Sequence, residues 1–562
     1  MDCLAVHDSA SLTSALLALE HGGLWAVAAL DYELGYLLES AAAPDGWLPP
    51  TDRPLARFWR FSDCACFTRS EADAWLAERF AAAAEGGCAG IGGLAPAVDE
   101  NWHASGVDRI RHYIGAGDCY QVNLTFPLTF SWFGDPLALY MRLRERQPVR
   151  FGGLVGDSGS ALVSLSPELF LERCGDRLRT RPMKGTAPRT DDPSELQNSP
   201  KDRAENVMIV DLLRNDLGRV ARNGSVAVTK LFEIEDYPTL WQMVSEVTAE
   251  VPGRSLAEVL AALFPCGSIT GAPKIRAMRI AAEIEGGRRR GAYTGALGWI
   301  APNGDFRLNV AIRTLDLAAG GQGSLGVGSG VVADSTAPAE WRECLLKSRF
   351  LEECDPGLHL IETLRRENGV YPRLDLHLQR LRQSARWFGF PLDEGALRER
   401  LAGLPVTGIW SVRLTLDKRG DTAVSHFPLA EGPAGPRLAR LHEQRIDSGR
   451  LLQRHKTSAR HVYDRALGSL SADSAVFDFI FLNERGEVAE GARSNVFVER
   501  DGVLMTPPLT SGALPGVLRA ELLGNGRARE SVLFLNDLES GFWLGNALRG
   551  LIPVTLARAP AV

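Results

Sequence analysis

Two hydrophobic periods alternate along this chain. From Tyr120 to Phe130 apolar and polar residues take turns, the period of a strand that buries one face. Just before it, Val107, Ile110 and Ile114 fall at helical spacing and predict a helix over 107–114 with one apolar stripe. Residues 24–38 are rich in apolar and aromatic side chains and read as strand material, whereas 71–84, built of alanine and charged residues, reads as a helix. A strand-like run covers 178–181. The segment 337–351 predicts a helix capped by Ser335 or Thr336, with Pro338 in the first turn, where its missing N–H costs nothing. Strands between amphipathic helices give an expected fold class of α+β.

Punctuation in the pattern marks candidate chemistry. After Leu178–Arg181 comes Pro182-Met183-Lys184-Gly185-Thr186, followed by Ala187-Pro188-Arg189. Two prolines and a glycine stop both helix and sheet, so Lys184 is expected on a turn. A lysine there is either a solvated loop residue or an amine tuned by burial or cationic neighbours to act as a nucleophile. Glu340, Glu343 and Lys347 lie at i, i+3 and i+7 of the predicted helix and share a face. They form either an exposed Glu343–Lys347 pair worth about 0.2–0.5 kcal/mol or two oxygen ligands for a hard cation.

With 562 residues the chain accommodates three or four domain-sized units, and 45% apolar and 23% charged residues are ordinary for a globular protein. A net charge of -7 gives no electrostatic footprint for nucleic acid or an anionic membrane. The run Arg288-Arg289-Arg290 reads as a solvated basic loop. Nine cysteines, scattered except for Cys64 and Cys66, lack metal-type spacing and point to a reducing cytosol. The N-terminus has no basic n-region, and the apolar run 22–30 is too short to span a bilayer, so a cytoplasmic location is expected. Gly86-Gly87-Cys88-Ala89-Gly90 fits the G-x-C-x-G pattern of a glutaminase elbow, but an alanine-rich helix precedes it where a strand is needed. Ammonia is therefore expected from a separate source.

The motifs flanking Lys184 separate its two readings. Gly117-Asp118-Cys119-Tyr120-Gln121-Val122-Asn123-Leu124 lies upstream. Asp202-Arg203-Ala204-Glu205-Asn206, Gly267-Ser268-Ile269-Thr270-Gly271-Ala272-Pro273-Lys274 and Pro338-Ala339-Glu340-Trp341-Arg342-Glu343 follow. In this order they resemble the chorismate-utilising enzymes, the family of anthranilate synthase, isochorismate synthase and aminodeoxychorismate synthase component I. The resemblance spans 104–351 as a chorismate-binding core, with 1–103 as the N-terminal part of the synthase, and implies large antiparallel sheets with flanking helices. In that family a lysine in Pro-x-Lys-Gly-Thr marks aminodeoxychorismate synthesis and alanine marks anthranilate synthesis.

The same resemblance implies roles for other residues. Glu168, in Ser166-Pro167-Glu168-Leu169, would assist loss of the ring hydroxyl. Glu205, Glu340 and Glu343 would surround Mg2+, which holds the ring carboxylate of chorismate. Tyr293 and Arg313 would bind the enolpyruvyl carboxylate, which suits a planar guanidinium. Ser268, the backbone around Gly326-Val327-Gly328 and Lys347 would contact the ring carboxylate, with Thr270 also among the substrate contacts. Gln121 stands where isochorismate and salicylate synthases place a water-activating lysine, which implies ammonia as the incoming nucleophile, from a glutaminase partner subunit. Gln242 stands where many relatives have histidine, and Ser268 where threonine is commoner. Leu37-Leu38-Glu39-Ser40 matches a tryptophan-site motif of related synthases; regulation, a structural ligand or no tryptophan at all are equally compatible with four residues.

Residues 352–357 break the helix and form a short linker. Beyond it, Ile361-Glu362-Thr363-Leu364-Arg365, His377-Leu378-Gln379-Arg380-Leu381, His455-Lys456-Thr457, Glu490-Gly491-Ala492-Arg493-Ser494-Asn495-Val496-Phe497, Thr506-Pro507-Pro508 and Leu514-Pro515-Gly516-Val517 cover 358–562. They resemble the fold-type IV pyridoxal-phosphate enzymes, which include branched-chain and D-amino acid aminotransferases and aminodeoxychorismate lyase, and imply a second α+β domain. Lys456, in the basic stretch 450–460, is the implied cofactor-bearing lysine, and Glu490 would keep the pyridine nitrogen protonated. Arg380 and the N–H groups of Val517, Leu518 and Ala547 would hold the phosphate of pyridoxal 5'-phosphate. Leu518 and Ala547 replace hydroxyl residues common in the aminotransferases. The usual strands before Glu362 are missing, which leaves that edge for something else to complete.

Together the two resemblances imply a bifunctional enzyme of p-aminobenzoate synthesis in the folate pathway. Chorismate and ammonia would give 4-amino-4-deoxychorismate, which then yields p-aminobenzoate and pyruvate. The alternatives are an anthranilate-type synthase fused to a class IV aminotransferase, and a synthase whose second domain is catalytically silent.

Overall fold

The structure, a computed structural model, describes residues 2–82, 87–157, 159–237, 240–430, 437–470 and 475–557. The chain forms two compact units, one of residues 1–78, 94–132 and 139–354, the other of 79–93, 133–138 and 355–562. Among the described residues no helix is long and apolar enough to cross a membrane.

Two antiparallel sheets make the first unit. The larger runs in the order Asp2–Val6, Ala56–Phe61, Trp25–Leu30, Ala296–Ile300, Phe306–Val310, Leu169–Cys174, Arg177–Arg181, Leu240–Glu250, Met183–Pro188, with Ala227–Asp236 also paired to Leu240–Glu250. Phe58, Phe170, Phe306 and Val247 from its strands pack with Leu213 and Leu217 of the helix Pro200–Gly218 and Val259 and Leu260 of Leu256–Leu263. Each such side chain, fully buried, contributes about 1.5–3 kcal/mol. In the second sheet Gln121–Phe133 lies between Gly271–Ala272 and Gln322–Val331. Its alternating apolar face, Val122 and Leu124 included, packs on Val107 and Ile110 of the helix Glu100–Gly115 and Ile280 of Lys274–Ile284.

Several local expectations change. Lys184 is in a strand, Met183–Pro188, and not on a turn. Leu240–Val244 pairs with this strand and Val247–Glu250 with Arg177–Arg181, so residues 177–188 follow one neighbour with a break at Pro182. The prolines are tolerated because this is the last strand in the order, and Gly185, at φ 86°, absorbs a register shift between Met183 and Thr186. Residues 24–38 divide into the strand Trp25–Leu30 and a short helix Leu34–Leu38. The predicted helix 337–351 ends at Leu346 and resumes at Arg349–Glu352. Ser348 interrupts it, its hydroxyl donating to the Leu345 carbonyl and to Glu352. Thr336 occupies the cap position without a side-chain bond, and Ser335 accepts from the Val332 N–H. Arg290 is no solvated loop residue: its side chain is 3% exposed, paired with Glu285 at 2.7 Å and lying over the Tyr32 ring.

The second unit holds a three-stranded antiparallel sheet, Leu360–Glu367, Ile409–Leu416 and Thr422–Pro428, packed on the helix Leu374–Phe388. A larger mixed sheet runs Val488–Gly491, Val476–Leu482, Arg437–Leu441, Gly550–Leu556, Phe542–Asn546, Asn495–Arg500, Val503–Thr506, Ala528–Glu530. The free edge of Leu360–Glu367 is completed by the segment that carries Lys456: the Ile361 N–H donates to the Lys456 carbonyl at 2.8 Å, and His359 and Ser458 exchange backbone and side-chain bonds.

Candidate active sites

In the first unit, sheet and turn converge on Glu168. Ser268, on the turn Gly267–Ile269, donates to its Oε1 at 2.7 Å. Burial pushes the Glu168 carboxyl up to about 7, while the Ser268 bond and the nearby charge of Lys184 act in the opposite direction. The Lys184 bulge is itself held from across the sheet by Gln242, whose Nε2 donates to the Gly185 carbonyl at 2.7 Å and whose Oε1 accepts from Thr186 Oγ1 at 3.0 Å. An added Cβ at Gly185 would also stand 3.0 Å from Asp202, so this close approach favours glycine.

Beside these groups lies a cavity of about 300 Å³ lined by Met183, Gln242, Tyr237, Arg313 and their neighbours. Arg313 holds a left-handed φ of 49°, a strain of about 1–3 kcal/mol for a non-glycine residue. Burial lowers its pKa. Among the described residues its guanidinium has no hydrogen-bond partner or ion pair, a preformed place for an anion. Gln121 is 2% exposed and its Nε2 likewise lacks a partner. Tyr293 does not join Arg313; it lines a separate cavity of about 200 Å³ with Thr125, Arg290 and Gly326. The Thr270 hydroxyl is turned to the Cys266 carbonyl at 2.8 Å.

Lys347 Nζ bridges the Gly328 carbonyl at 2.7 Å and Glu343 at 2.8 Å. Among the described residues no three His, Cys, Asp or Glu side chains gather closely enough to hold a metal ion. Glu205, Glu340 and Glu343 are therefore not drawn together as such a group. Lys347 pairs with one of the three, Glu343.

The second unit encloses a cavity of about 370 Å³ lined by Arg380, Lys456, Tyr463, Glu490, Gly516, Val517 and Ala547, among others. The Lys456 amine makes no hydrogen bond among the described residues. Desolvation, reinforced by Arg380 and Arg460, lowers it to about 7 against the opposing pull of Glu362 and Glu490. Glu490 accepts from Tyr463 at 2.7 Å and from the Leu514 N–H at 2.8 Å, and burial raises it to about 7. Arg380 donates to both carboxylate oxygens of Glu362, at 2.8 and 2.6 Å, and to the Pro515 carbonyl at 3.1 Å. Glu362 is buried, yet Arg380 and His377 hold it down at about 2.

These residues fit pyridoxal 5'-phosphate. An unpartnered amine and a buried carboxylate face one cavity, and the helix Val517–Gly524 opens onto it at Gly516, where a Cβ would meet Asn495 Oδ1 at 1.9 Å. Leu518 does not line the cavity; its side chain packs with Phe497, Leu504 and Leu522. Sequence reasoning missed Tyr463, seven residues past Lys456 on the helix His461–Gly468, and the clamp formed by Gln242. Cys88 follows a helix and precedes the strand Gly90–Pro96, the reverse of an elbow, and its thiol donates to the Gly357 carbonyl.

Known proteins match both units. Aminodeoxychorismate synthase component 1 of Klebsiella aerogenes is 44% identical over 259 residues, 44% of this chain and 56% of its own. Anthranilate synthase component 1 of Streptomyces coelicolor is 38% identical over 314 residues, 53% of this chain and 60% of its own. The chain thus spans little more than half the length of either relative. The crystal structure of anthranilate synthase component I from Streptococcus pneumoniae superposes with a TM-score of 0.50 at 26% identity, covering 58% of this chain and 80% of that one. Residues 359–557 match the amino-transferase class IV family, the part that encloses Lys456 and Glu490. Residues 3–353, which carry Lys184, Glu168 and Arg313, match the family described as chorismate binding enzyme, and the chain belongs to that family.

Proposed function

We propose that this chain makes p-aminobenzoate in two steps: chorismate and ammonia give 4-amino-4-deoxychorismate in the first unit, and the second unit releases pyruvate from it. The observation that carries the reading is a lysine, Lys184, beside a buried acid, Glu168, in a chain whose second cavity holds an unpartnered lysine opposite a carboxylate. In the first step the unprotonated Lys184 amine forms a bond to C2 as both ring double bonds shift and the C4–O bond breaks. Glu168, protonated below about pH 7, gives its proton to the departing hydroxyl, which leaves as water. Ammonia then bonds to C4 and the C2–N bond to Lys184 breaks. Arg313 would hold a substrate carboxylate, and Ser268 keeps Glu168 aimed at the ring. Mg2+ stays outside this scheme, since its three expected ligands are not gathered.

Pyridoxal phosphate, when bound, supplies an electron sink. Lys456 and Glu490 would hold its two reactive ends, and Arg380, Val517 and Ala547 its phosphate. Lys456 takes the proton from C4 of the substrate, the enolpyruvyl C–O bond breaks, and the ring becomes aromatic. Tyr463 keeps the Glu490 carboxylate in place.

The test is product analysis with chorismate, ammonium and pyridoxal phosphate. We expect p-aminobenzoate and pyruvate, with glutamine ineffective until a separate glutaminase is added. Anthranilate as product, or glutamine use abolished by Cys88→Ala, would refute the reading. At constant free ammonia, loss of the Glu168 proton as pH rises past about 7 is expected to put a descending limb into the pH profile of chorismate turnover. Glu168→Gln removes this limb along with about 10²–10⁴ of the rate. An unchanged pH profile in that variant excludes Glu168 as the acid.

A further inference from the structure

The second cavity carries cations that the two steps above do not use. Arg493 and Arg549 line it together with Lys456, Asn546 and Leu548. Arg493 stacks on one side of the Phe477 ring at 4.6 Å and Arg437 lies over the same ring at 5.5 Å. The turn bearing Arg549 is tied to Arg493 by the Asn546 amide, which donates to the Arg493 carbonyl at 3.3 Å, and to Arg365, which donates to the Leu548 carbonyl at 3.4 Å. Arg365 is paired with Glu367. Among the described residues, neither Arg493 nor Arg549 pairs with a carboxylate. Their guanidinium bonds go to carbonyls, of Phe477 and of Ala430. Burial lowers the Arg549 pKa, and Arg493, Arg437 and Arg365 lower it further; buried Asp478 interacts with Arg493 through its charge but makes no ion pair with it among the described residues.

A cluster of like charges at the wall of a cavity costs free energy unless an anion completes it, and a guanidinium fork matches a carboxylate. We propose that Arg493 and Arg549 are specificity residues that grip a carboxylate of the substrate remote from its reacting amine, so that the cavity selects amines bearing two carboxylates over those bearing one. This rests on the lyase reading above and names the substrate class that its cavity accepts. Aminodeoxychorismate has that chemistry, with one carboxylate on the ring and a second on the enolpyruvyl group. An ordinary amino acid with an apolar side chain does not.

The probe is benzene-1,3-dicarboxylate, compared with benzoate, titrated into the full chain loaded with pyridoxal phosphate and followed by the cofactor's visible absorbance. The dicarboxylate should bind about tenfold or more tightly than benzoate, the ratio that one charge-assisted hydrogen bond provides. The difference should disappear in Arg493→Ala/Arg549→Ala with the cofactor still bound. Arg549→Lys, which keeps the charge but loses the fork, should give an intermediate ratio and serves if the double variant does not fold. Equal affinity for the two probes in the wild type overturns the proposal. So does discrimination that survives in the variants, or loss of the cofactor in its place, which would assign the arginines to the phosphate. If the dicarboxylate is preferred but aminodeoxychorismate releases no pyruvate, the arginine site stands and the lyase reading falls. If pyruvate is released and the double variant keeps the wild-type KM, the reverse holds.

Discussion

Lys456→Ala should abolish p-aminobenzoate formation while leaving chorismate consumption intact, so that 4-amino-4-deoxychorismate accumulates. The variant removes the amine that faces Glu490 across the second cavity and touches none of the residues around Glu168. Loss of a positioned base alone costs about 10²–10⁴ in rate, and loss of the cofactor's attachment adds to that. Adding a separate active lyase should restore p-aminobenzoate. The cofactor-free protein offers an independent readout. The Lys456 pKa is lowered from 10.5 to about 7, so between those values the unfolded chain binds a proton that the folded chain does not. Its contribution to stability therefore rises with pH across that window and is least favourable below about 7. Lys456→Ala should flatten that part of the stability profile. A p-aminobenzoate yield unchanged by Lys456→Ala, with no other lyase present, would end the bifunctional reading.

What the sequence made legible follows from the range of the interactions involved. The strand carrying Gln121, the helix bearing Val107 and Ile110, and the placement of Lys456 and Glu490 on one cavity all rest on local period or on motifs that keep their residues in register. Lys184 was harder to place. Pro182, Gly185 and Pro188 have the local chemistry of a turn, but pairing with Leu240–Val244 keeps the segment in the sheet, and only the partner strand reveals this. The same partner supplies Gln242, whose clamp on Gly185 and Thr186 no local pattern announces. Arg290 reads as solvated because its neighbours are arginines, yet Glu285, five residues before it, and Tyr32, from far upstream, enclose it. The edge of Leu360–Glu367 is closed by the Lys456 segment, a pairing across almost a hundred residues. Trp387 is another such case: it stacks on Phe133 at 6.2 Å and on His455, the neighbour of Lys456, at 4.5 Å, far apart in sequence but packed in one unit.

Lys184→Ala should lower the synthesis of 4-amino-4-deoxychorismate from chorismate about a thousandfold or more, the scale on which removing a nucleophile acts, yet leave cleavage of supplied aminodeoxychorismate unchanged. The substitution is in a half-buried edge strand whose pairing is made by Met183 and Thr186, so the sheet should survive it. Because Lys184 lowers the Glu168 pKa, the variant should also raise that acid further above about 7, shifting the Glu168 titration to higher pH. This shift separates a loss of chemistry from a loss of structure, since an unfolded site would return Glu168 toward 4.5. Gln242→Ala offers a graded comparison. It keeps the amine but removes the bonds that fix the bulge, so chorismate turnover should fall less than in Lys184→Ala, with the fall in kcat and little change in KM. Should Lys184→Ala retain wild-type turnover with ammonia, the lysine would be a strand residue only, and the first step would need another nucleophile or direct attack by ammonia on chorismate.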